Sequence, residues 1–535
     1  MTRPAVKKKT IGSVAFVGTG PGDPSLLTLR AVDALAVADV VVLDRMVRDG
    51  ALVHAPAGVE VIDGSLGEDG APLAHAARAK LVVQAAKSGR RVVRLMDGDP
   101  GTFNGLAEEA GACVKAGVPF EVVPGVSAVT AVPSYAGIPL TDAKARSVHI
   151  IPPHEATIDC AAHADAGTTL VVLGGFDRIE EVAQGLLACG RSGSTPVAVT
   201  EQGTTTAQRT VVATLATVGE AVGEAGLATP VITVIGPTVA LREKLSWYET
   251  KPLFGWRVLV PRTKEQAGAL SQRLRAYGAV PEEVPTIAVE PPRTPQQIER
   301  AIKGLVTGRY EWIAFTSRNA VRAVREKFED YGLDARAFAG IKVAAVGEQT
   351  AADLVAWGIK PDLVPSGEQS AAGLLEEWPA YDSVLDPIDR VFLPRADIAT
   401  ETLVAGLREL GWEVDDVTAY RTVRAAPPPA PVREAIKGGS FDAVVFTSSS
   451  TVRNLVGIAG KPHTATVVAC IGPQTAKTAE EHGLRVDVLA AMPSAEALAE
   501  ALAEYGAAHR LAAIEAGEPV LRPSERRGGA RRKAK

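Results

Sequence analysis

The sequence predicts an α/β protein with largely parallel sheets, and three observations support this. Short apolar segments of strand length alternate along the chain with alanine- and leucine-rich segments of helical period. Turns rich in glycine, serine and threonine follow many of the apolar segments and open the next helix. The second half of the chain repeats its own pattern. In the first half the predicted helices include residues 74–87 and 179–188, and the predicted strands are residues 14–17, 40–43, 92–95, 169–173, 197–199 and 231–235.

Length and composition describe a globular protein of several domains. The 535 residues suggest about three or four domains. An apolar fraction of 46% and a charged fraction of 22% are ordinary for such a protein. The net charge of −5 gives no reason to expect nucleic acid or a membrane as a partner. No apolar run reaches the length of a membrane span, and we expect a cytoplasmic location.

The cysteines give no sign of a metal site or a disulfide framework. Cys113, Cys160, Cys189 and Cys470 lie far apart, with no Cys-x-x-Cys motif and no spacing typical of zinc ligands. This pattern fits a reducing compartment, and no metal is predicted.

A glycine-rich turn follows the first predicted strand. It contains Gly18, Gly20, Pro21 and Gly22 and leads into a helical segment. Glycines allow the backbone to approach a ligand closely, although such turns also end strands where no ligand binds. The turn alone is therefore a weak indication of a binding site.

The repeat in the second half predicts two similar α/β lobes that face a cleft. Each copy contains a strand ending in Pro-Arg, a Phe-Thr-Ser turn and a glycine turn before a helix. Ligands bind at such carboxyl edges in open α/β sheets. The paired segments are residues 258–262 with 391–395, 315–321 with 446–452, and 346–351 with 471–476.

Interruptions in the pattern suggest domain boundaries. We expect a first region at 11–247 with lobes at about 11–124 and 125–247, a linker at 248–255, and a second region at 256–505. Residues 506–535 end in a basic stretch without periodicity and are expected to be a disordered tail. The alternative is a tail that contacts RNA or a partner.

Many short segments of the first half occur in a characteristic order. They include Gly-Asp-Pro at 98–100 and Tyr-Ala-Gly-Ile-Pro-Leu-Thr at 135–141. Together they resemble the uroporphyrinogen-III C-methyltransferase family of S-adenosylmethionine-dependent tetrapyrrole methylases, over residues 13–247. The segments are residues 17–24, 26–28, 38–40, 44–45, 91–95, 98–100, 122–125, 135–141, 196–199, 203–204, 208–209 and 241–245.

The resemblance implies a two-lobed methylase fold that binds S-adenosyl-L-methionine. It assigns Asp44 as the proton acceptor, which suits carbon methylation because the pyrrole must shed a proton. Asp44 and Asp99 have alternative roles as capping residues of a turn and a helix. The cofactor contacts, including the glycine turn, are Gly18, Gly20, Pro21, Gly22, Asp97, Gly98, Asp99, Thr102, Ser127, Ala128 and Gly203.

Three positions depart from the methylase pattern. Ser65 stands where the family usually has a lysine that is proposed as a proton donor. The loop 101–105 lacks the family's arginine, and Gly174 replaces a methionine that commonly packs on the cofactor. These changes place substrate affinity and turnover in question more than cofactor binding.

The second half, from residue 255 to about 505, resembles uroporphyrinogen-III synthase. The segments that carry this are 258–262, 315–321, 345–351, 420–422, 446–450, 471–476 and 494–495. The resemblance implies that hydroxymethylbilane closes to uroporphyrinogen III with inversion of the last pyrrole, without metal or cofactor. It also implies one lobe of 256–289 plus 424–505 and another of 290–423.

The implied substrate carries eight carboxylates, which backbone amides, hydroxyls and a few cations would hold. Tyr420 corresponds to the tyrosine thought to assist loss of the substrate's hydroxyl, and its alternative role is packing. The hydroxyl residues and glycines are alternatively helix caps, and the arginines surface residues. The expected substrate-binding residues are Arg262, Thr316, Ser317, Gly347, Thr350, Arg395, Thr447, Ser448, Gly472 and Thr475.

Three functional hypotheses follow. The first is an enzyme of tetrapyrrole synthesis with two activities, acting on small-molecule tetrapyrroles, with a possible homodimer through the first half. The second keeps the synthase but reduces the first half to a module that binds cofactor or substrate. The third is a ligand-sensing clamp attached to a regulator, which the absence of a DNA-binding motif disfavours.

Overall fold

A computed structural model describes residues 11–44, 49–67, 70–152, 159–174, 178–263 and 268–528. These residues form two compact units. The first unit is Met1–Trp256 with Arg275–Val280 and Gly506–Leu511, and the second is Arg257–Leu274, Pro281–Tyr505 and Ala512–Lys535.

The first unit begins with a five-stranded sheet in the order β3-β2-β4-β1-β5, in which every pair is parallel. Buried valine-rich runs form β1, β2 and β4, as predicted, whereas the more exposed edge strands β3 and β5 were not predicted. Helices pack on both faces. The elements are β1 Ser13–Gly18, α1 Leu29–Ala36, β2 Val40–Leu43, β3 Glu60–Asp63, α2 His75–Lys87, β4 Arg91–Met96, α3 Leu106–Ala116, β5 Phe120–Val123 and α4 Ala128–Tyr135.

The second sheet of this unit has the order β6-β7-β10-β8-β9. Only β6 and β7 pair in parallel, and the other three pairs are antiparallel, so the prediction of largely parallel sheets is wrong here. For β8 and β9 the antiparallel pairing follows from the short loop that joins them, which leaves no room for a crossover. The elements are β6 Ser147–Ile151, β7 Thr168–Leu173, α5 Ile179–Ala188, β8 Pro196–Glu201, β9 Arg209–Thr214, α6 Val218–Ala225, β10 Val231–Ile235 and α7 Arg242–Leu245.

The second unit contains a nine-stranded sheet in the order β14-β13-β15-β16-β12-β11-β17-β18-β19. Its first part is β11 Arg257–Thr263, α8 Gly268–Ala276, β12 Val280–Glu290, α9 Pro295–Val306, β13 Trp312–Phe315, α10 Arg318–Asp330, β14 Lys342–Ala345, α11 Glu348–Ala356 and α12 Ala371–Glu377. The remainder is β15 Arg390–Ala396, α13 Thr402–Glu409, β16 Glu413–Arg424, α14 Ala430–Gly438, β17 Ala443–Phe446, α15 Ser449–Ala459, β18 Val467–Cys470, α16 Pro473–Glu481, β19 Val488–Leu489 and α17 Ala495–Glu515.

The duplicated segments lie on corresponding elements of this sheet. The Pro-Arg strands are β11 and β15, the Phe-Thr-Ser turns follow β13 and β17, and the glycine turns follow β14 and β18. Strands of the two repeats are interleaved, because β15 pairs with β13 while β11 pairs with β17. Antiparallel pairing of β12 with β16 joins the two groups of strands. The exact lobe boundaries stay a prediction.

Two segments differ from their predicted character. In the expected linker, Tyr248 and Leu253 are buried, and Tyr248 packs on Tyr135. Residues 506–515, expected to be disordered, continue helix α17. Beyond it, the amide of Ser524 donates a hydrogen bond to the buried carboxylate of Asp442. Neither basic composition nor lack of apolar periodicity reveals such docking, because it depends on a residue distant in sequence.

Across the described ranges, no helix combines the length and apolar character needed to span a membrane.

Candidate active sites

The glycine turn of the first unit is a place where three backbone segments meet. A Cβ at Gly18 would lie 2.6 Å from the carbonyl oxygen of Gly98 and 2.7 Å from Cα of Gly125. Only glycine fits between these segments, because real Cβ atoms essentially never come so close to backbone. Gly18 therefore allows close packing of the loops behind β1, β4 and β5.

These loops line one side of a cavity, and the loop after β8 lines the other. The cavity gathers eight of the eleven residues predicted to contact a cofactor: Pro21, Asp97, Gly98, Asp99, Thr102, Ser127, Ala128 and Gly203. Gly20 and Gly22 line a small neighbouring pocket instead. The apolar part of the larger cavity comes from Val129, Val132, Leu173, Val231 and Ile232. Backbone groups and hydroxyls on one side and apolar side chains on the other suit a ligand with a flat ring and polar ends.

Asp99 holds the loops of this cavity together. One carboxylate oxygen accepts hydrogen bonds from the amide of Gly101 at 2.9 Å and the hydroxyl of Thr102 at 3.1 Å, and the other accepts from the amide of Gly125 at 3.1 Å. The side chain thus ties the loop after β4 to the loop after β5. Its predicted contact with a ribose or amine stays a prediction.

Asn104 is a cavity residue that the sequence reasoning missed. Its amide nitrogen donates to the carbonyl oxygens of Asp97 and Asp99, both at 2.6 Å. These two bonds shape the loop around the neighbouring cavity residues. The available signal was its position in the altered loop 101–105, directly after the Gly-Asp-Pro motif.

Left-handed backbone at non-glycine residues marks the rim of the cavity. Phe103 has a φ of 59° and Gln202 a φ of 49°, and both residues line the cavity. Such conformations are uncommon for residues with a Cβ and concentrate at ligand sites. They support a binding role for this cavity.

Asp44, the predicted proton acceptor, follows β2 and belongs to a network of charged side chains. Its two oxygens accept from Arg78 Nη1 at 3.1 Å and from Arg94 Nη2 at 3.0 Å. Arg94 also contacts Glu109 at 2.8 Å, and His75 Nδ1 lies 2.9 Å from Arg78 Nη2. Asp44 is not among the residues lining the cavity. Its catalytic role stays a prediction.

The innermost part of this network is the ion pair of Arg94 with Glu109. Both side chains are fully buried. Burial alone lowers the pKa of Arg94, but the hydrogen bonds and charges of Glu109 and Asp44 outweigh it and raise the pKa. The guanidinium therefore stays charged and gives Asp44 a fixed neighbour.

The positions that depart from the methylase pattern have definite surroundings. Ser65 is buried, and its hydroxyl and amide both donate to Asp63, which lowers the pKa of that carboxyl. Gly174 lines the cavity with a φ of 63°.

In the second unit the predicted hydroxyl residues lie at helix starts, on the carboxyl side of parallel strands. Ser317 caps α10 through a bond from the amide of Ala320, and Ser448 caps α15 through a bond from the amide of Thr451. Thr316 and Thr447 precede them and are partly exposed. Both serines therefore act as helix caps, the alternative role expected for these hydroxyls.

Two other helices begin with glycine and no side-chain cap. Gly347 precedes α11 and Gly472 precedes α16. At α11 the amide of Glu348 donates to the side chain of Gln369, whereas a Cβ at Gly472 would meet open space. Thr350 and Thr475, one turn along, are buried. The start of α16 is sterically open, but its first residue, Pro473, has no N–H, and the amide of Thr475 donates to the carbonyl oxygen of Gly472.

Tyr420 lies near the end of β16 with its hydroxyl 2.9 Å from Ser317 Oγ. The residue is 7% exposed and its ring packs in the core beside Phe315 and Phe392. A cavity of about 480 Å³ reaches it, which is within the range of about 300–1,000 Å³ typical of ligand pockets. The tyrosine thus combines a packing role with access to a cavity.

The two predicted arginines are engaged within the protein. Arg395 is 6% exposed, and it donates to Asp416 at 2.5 Å, to Glu401 at 2.8 Å and to the carbonyl oxygen of Thr400 at 2.5 Å. The hydrogen bond to Asp416 raises the pKa of Arg395. Arg262 forms an ion pair with Glu283. Both arginines were expected to face a ligand, and in the structure both contact acidic side chains of the protein. Their positions at strand ends do not reveal these partners, which include residues distant in sequence.

Within the described part of the chain, no group of three or more His, Cys, Asp or Glu side chains is arranged to hold a metal ion.

Family comparisons agree with the two-part architecture. Residues 13–219 match the family model of tetrapyrrole (corrin/porphyrin) methylases, and residues 268–500 match that of uroporphyrinogen-III synthase HemD.

Two relatives extend across both parts. The chain is 33% identical over 505 residues to the porphyrin biosynthesis protein HemD of Ruminiclostridium josui, which covers 92% of this chain and 98% of that protein. It is 35% identical over 368 residues to the uroporphyrinogen-III C-methyltransferase of Bacillus subtilis strain 168, covering 66% of this chain and 74% of that protein.

A solved structure also aligns with part of the chain. It is the uroporphyrin-III C-methyl transferase of Thermus thermophilus complexed with S-adenyl homocysteine, at 34% identity and a TM-score of 0.37, covering 43% of this chain and 93% of that one. On the family matches and the full-length relative, the chain belongs to the tetrapyrrole methylases in its first half and to the uroporphyrinogen-III synthases in its second.

Proposed function

We propose that this chain is an enzyme with two successive activities in tetrapyrrole synthesis. The second half converts hydroxymethylbilane to uroporphyrinogen III with inversion of the last pyrrole. The first half methylates uroporphyrinogen III at carbon towards precorrin-2. The observation that carries the methylase proposal is the single cavity that gathers eight of the residues expected to contact a methyl donor.

The residues around that cavity fit S-adenosyl-L-methionine, which supplies an electrophilic methyl group when bound. Val129, Val132 and Ile232 offer an apolar surface for the adenine, and the backbone around Gly98 and Gly203 offers short-range polar groups. Asp99 keeps these loops in place. Binding of the donor is thus assigned to the cavity rather than to the glycine turn alone.

Asp44 accepts the proton that the tetrapyrrole must shed or relocate when one of its pyrrole carbons is methylated. Its two oxygens accept guanidinium hydrogen bonds from Arg78 and Arg94. The side chain is 21% exposed, which leaves it accessible. The two arginines orient the carboxylate before the substrate arrives, as general base catalysis requires.

Tyr420 assists departure of the substrate's hydroxyl in the second half. When the carbon–oxygen bond breaks, the phenol donates a proton to the leaving hydroxide, and Ser317 Oγ at 2.9 Å donates a hydrogen bond to the phenolic oxygen. The positive end of the α16 dipole attracts a carboxylate of the substrate. No metal or cofactor takes part in this half-reaction.

Each activity has its own test. Purified protein supplied with hydroxymethylbilane alone is expected to release the type-III porphyrinogen, and formation of only the type-I isomer would refute the synthase. Protein supplied with uroporphyrinogen III and methyl-labelled S-adenosylmethionine is expected to label the tetrapyrrole. An unlabelled tetrapyrrole would refute methyl transfer.

A second candidate keeps the synthase and leaves the first half as a binding module. Gly174 at the cavity wall and Ser65 bonded to Asp63 favour it, because both depart from the methylase pattern. Calorimetry with S-adenosylhomocysteine measures binding, and the labelling assay measures transfer. Binding without transfer supports the module, and binding with transfer supports the enzyme. A cytoplasmic location and a homodimer through the first half are further proposals from the family resemblance.

A further inference from the structure

The first turn of α2 reaches both places where the methylase pattern has lost a cation. A Cβ at Gly105, in the loop without its arginine, would lie 2.0 Å from His75 Nδ1. A Cβ at Gly64, beside Ser65, would lie 3.6 Å from Arg78 Cδ. Two basic side chains one helical turn apart therefore occupy the space beside the two altered loops.

The hydrogen bonds of Arg78 determine which imidazole nitrogen carries the proton. Arg78 Nη2 lies 2.9 Å from His75 Nδ1, and a guanidinium can only donate. His75 Nδ1 is therefore the acceptor, and the neutral ring carries its hydrogen on Nε2. The contact of Nδ1 with Glu109 at 3.4 Å is longer and becomes a hydrogen bond only when the ring gains a second proton.

The exposure of the network increases outward. The side chains of Arg94 and Glu109 are 0% exposed, that of Arg78 11%, that of Asp44 21% and that of His75 39%. A ligand arriving from solvent thus meets Asp44 and His75, both of which Arg78 holds. Among the described residues, His75 Nε2 has no hydrogen-bond partner.

The charges of this network balance without the imidazole. The guanidiniums of Arg78 and Arg94 offset the carboxylates of Asp44 and Glu109. The N–H of His75 Nε2 is a donor outside these ion pairs, and a carboxylate of the substrate is a complementary acceptor for it.

We propose that side chains of α2 take the place of the missing basic residues of the methylase half. Arg78 positions Asp44, and the N–H of His75 Nε2 donates a hydrogen bond to a carboxylate of the tetrapyrrole substrate. This inference rests on the proposed function and names the residues that recognise its substrate. Affinity for the tetrapyrrole should fall when position 75 loses its N–H donor.

The test compares the wild-type protein with His75→Phe, which keeps a ring but removes the donor, and with His75→Gln, whose amide can still donate. Lys80→Gln is the matched control, since it removes an exposed charge from the same helix. We expect His75→Phe to raise the KM for uroporphyrinogen III about tenfold with kcat retained, and His75→Gln to recover part of that rise. The Kd of S-adenosylhomocysteine should not change. An unchanged KM with His75→Phe, or an equal rise with Lys80→Gln, would overturn the assignment.

Arg78 is tested by two substitutions. Arg78→Met is expected to lower kcat, and Arg78→Lys to recover part of it, because the ammonium still reaches one partner. Adding Ser65→Lys to Arg78→Met should also recover activity. If Arg78→Met does not fold, the Arg78→Lys variant decides: a wild-type kcat and pH profile would refute the positioning role.

A binding readout separates this inference from the proposed function. Uroporphyrin III, an oxidised analogue, is titrated by fluorescence with wild type and His75→Phe. The synthase half contributes equally to both proteins. If wild type transfers no methyl group but binds the analogue more tightly than His75→Phe does, methyl transfer fails and the recognition role stands. An affinity unchanged by His75→Phe would contradict the recognition role even in an active enzyme.

Discussion

Substitution of Gly18 by alanine tests whether the packing of three loops creates the cofactor cavity. The new Cβ would lie 2.6 Å and 2.7 Å from backbone atoms of Gly98 and Gly125, where ordinary contacts begin at 3.4 Å. Both neighbours are backbone, so relief requires a loop to move by roughly half an ångström or more. Overpacking of this kind costs about 3 kcal/mol.

That cost predicts a midpoint about 6–12 °C lower for the thermal transition of the first half, measured by calorimetry. The Kd of S-adenosylhomocysteine should rise at least about tenfold, because Gly98 and its neighbours line the cavity. Gly111→Ala is the control: it lies inside α3 with nothing within 4 Å, so alanine should stabilise the helix by about 0.5–1 kcal/mol. A Gly18→Ala variant with wild-type midpoint and Kd would refute the reasoning.

Three further predictions concern single groups. Tyr420→Phe should fold and lose about a hundredfold in synthase rate. Tyr310→Phe, which loses a hydrogen bond to Asp415 in the same unit, should keep the rate. Equal rates for both variants would refute the catalytic role of Tyr420. Asp99→Asn should raise the Kd of S-adenosylhomocysteine about tenfold, because the amide nitrogen of asparagine cannot accept the hydrogen bonds that a carboxylate oxygen accepts. Asp142→Asn, at an exposed turn, should leave the Kd unchanged. An unchanged Kd for Asp99→Asn would contradict the loop-holding role. Hydrogen bonds from the side chain and amide of Arg91 lower the pKa of Asp39 to about 2. The stability that Asp39 contributes is therefore present above the ordinary pKa of about 3.9 and is lost as the pH falls towards 2. Asp39→Asn should weaken the loss of thermal stability between pH 5 and pH 3, and an unaltered loss would contradict this.

The buried strands of the first half were predictable because they are continuous apolar runs, whereas the more exposed β3, β5, β6 and β9 were not predicted. Residues 40–43 and 231–235 coincide with β2 and β10, and residues 179–188 coincide with α5. The antiparallel pairing of β8 with β9 was not predicted, since apolar runs carry no direction. Sequence periodicity also gave no sign that residues 506–515 extend a helix.

The residues of the cavity were largely predictable, whereas the charged network around Arg94 was not. Eight expected residues meet in the cavity because family motifs mark each loop. The network joins side chains from β2, α2, β4 and α3, and on a helix surface His75 and Arg78 look like ordinary solvated residues. The one available signal was Arg94, a charge inside the apolar run of β4.

The central claim is that one chain carries out both reactions in succession. The most direct measurement supplies full-length protein with hydroxymethylbilane and S-adenosylmethionine and identifies the tetrapyrroles by mass and isomer analysis. The account predicts methylated tetrapyrrole of the type-III series, and unmethylated type-III product when the donor is omitted. Type-III porphyrinogen that stays unmethylated with the donor present, or type-I product alone, would contradict it.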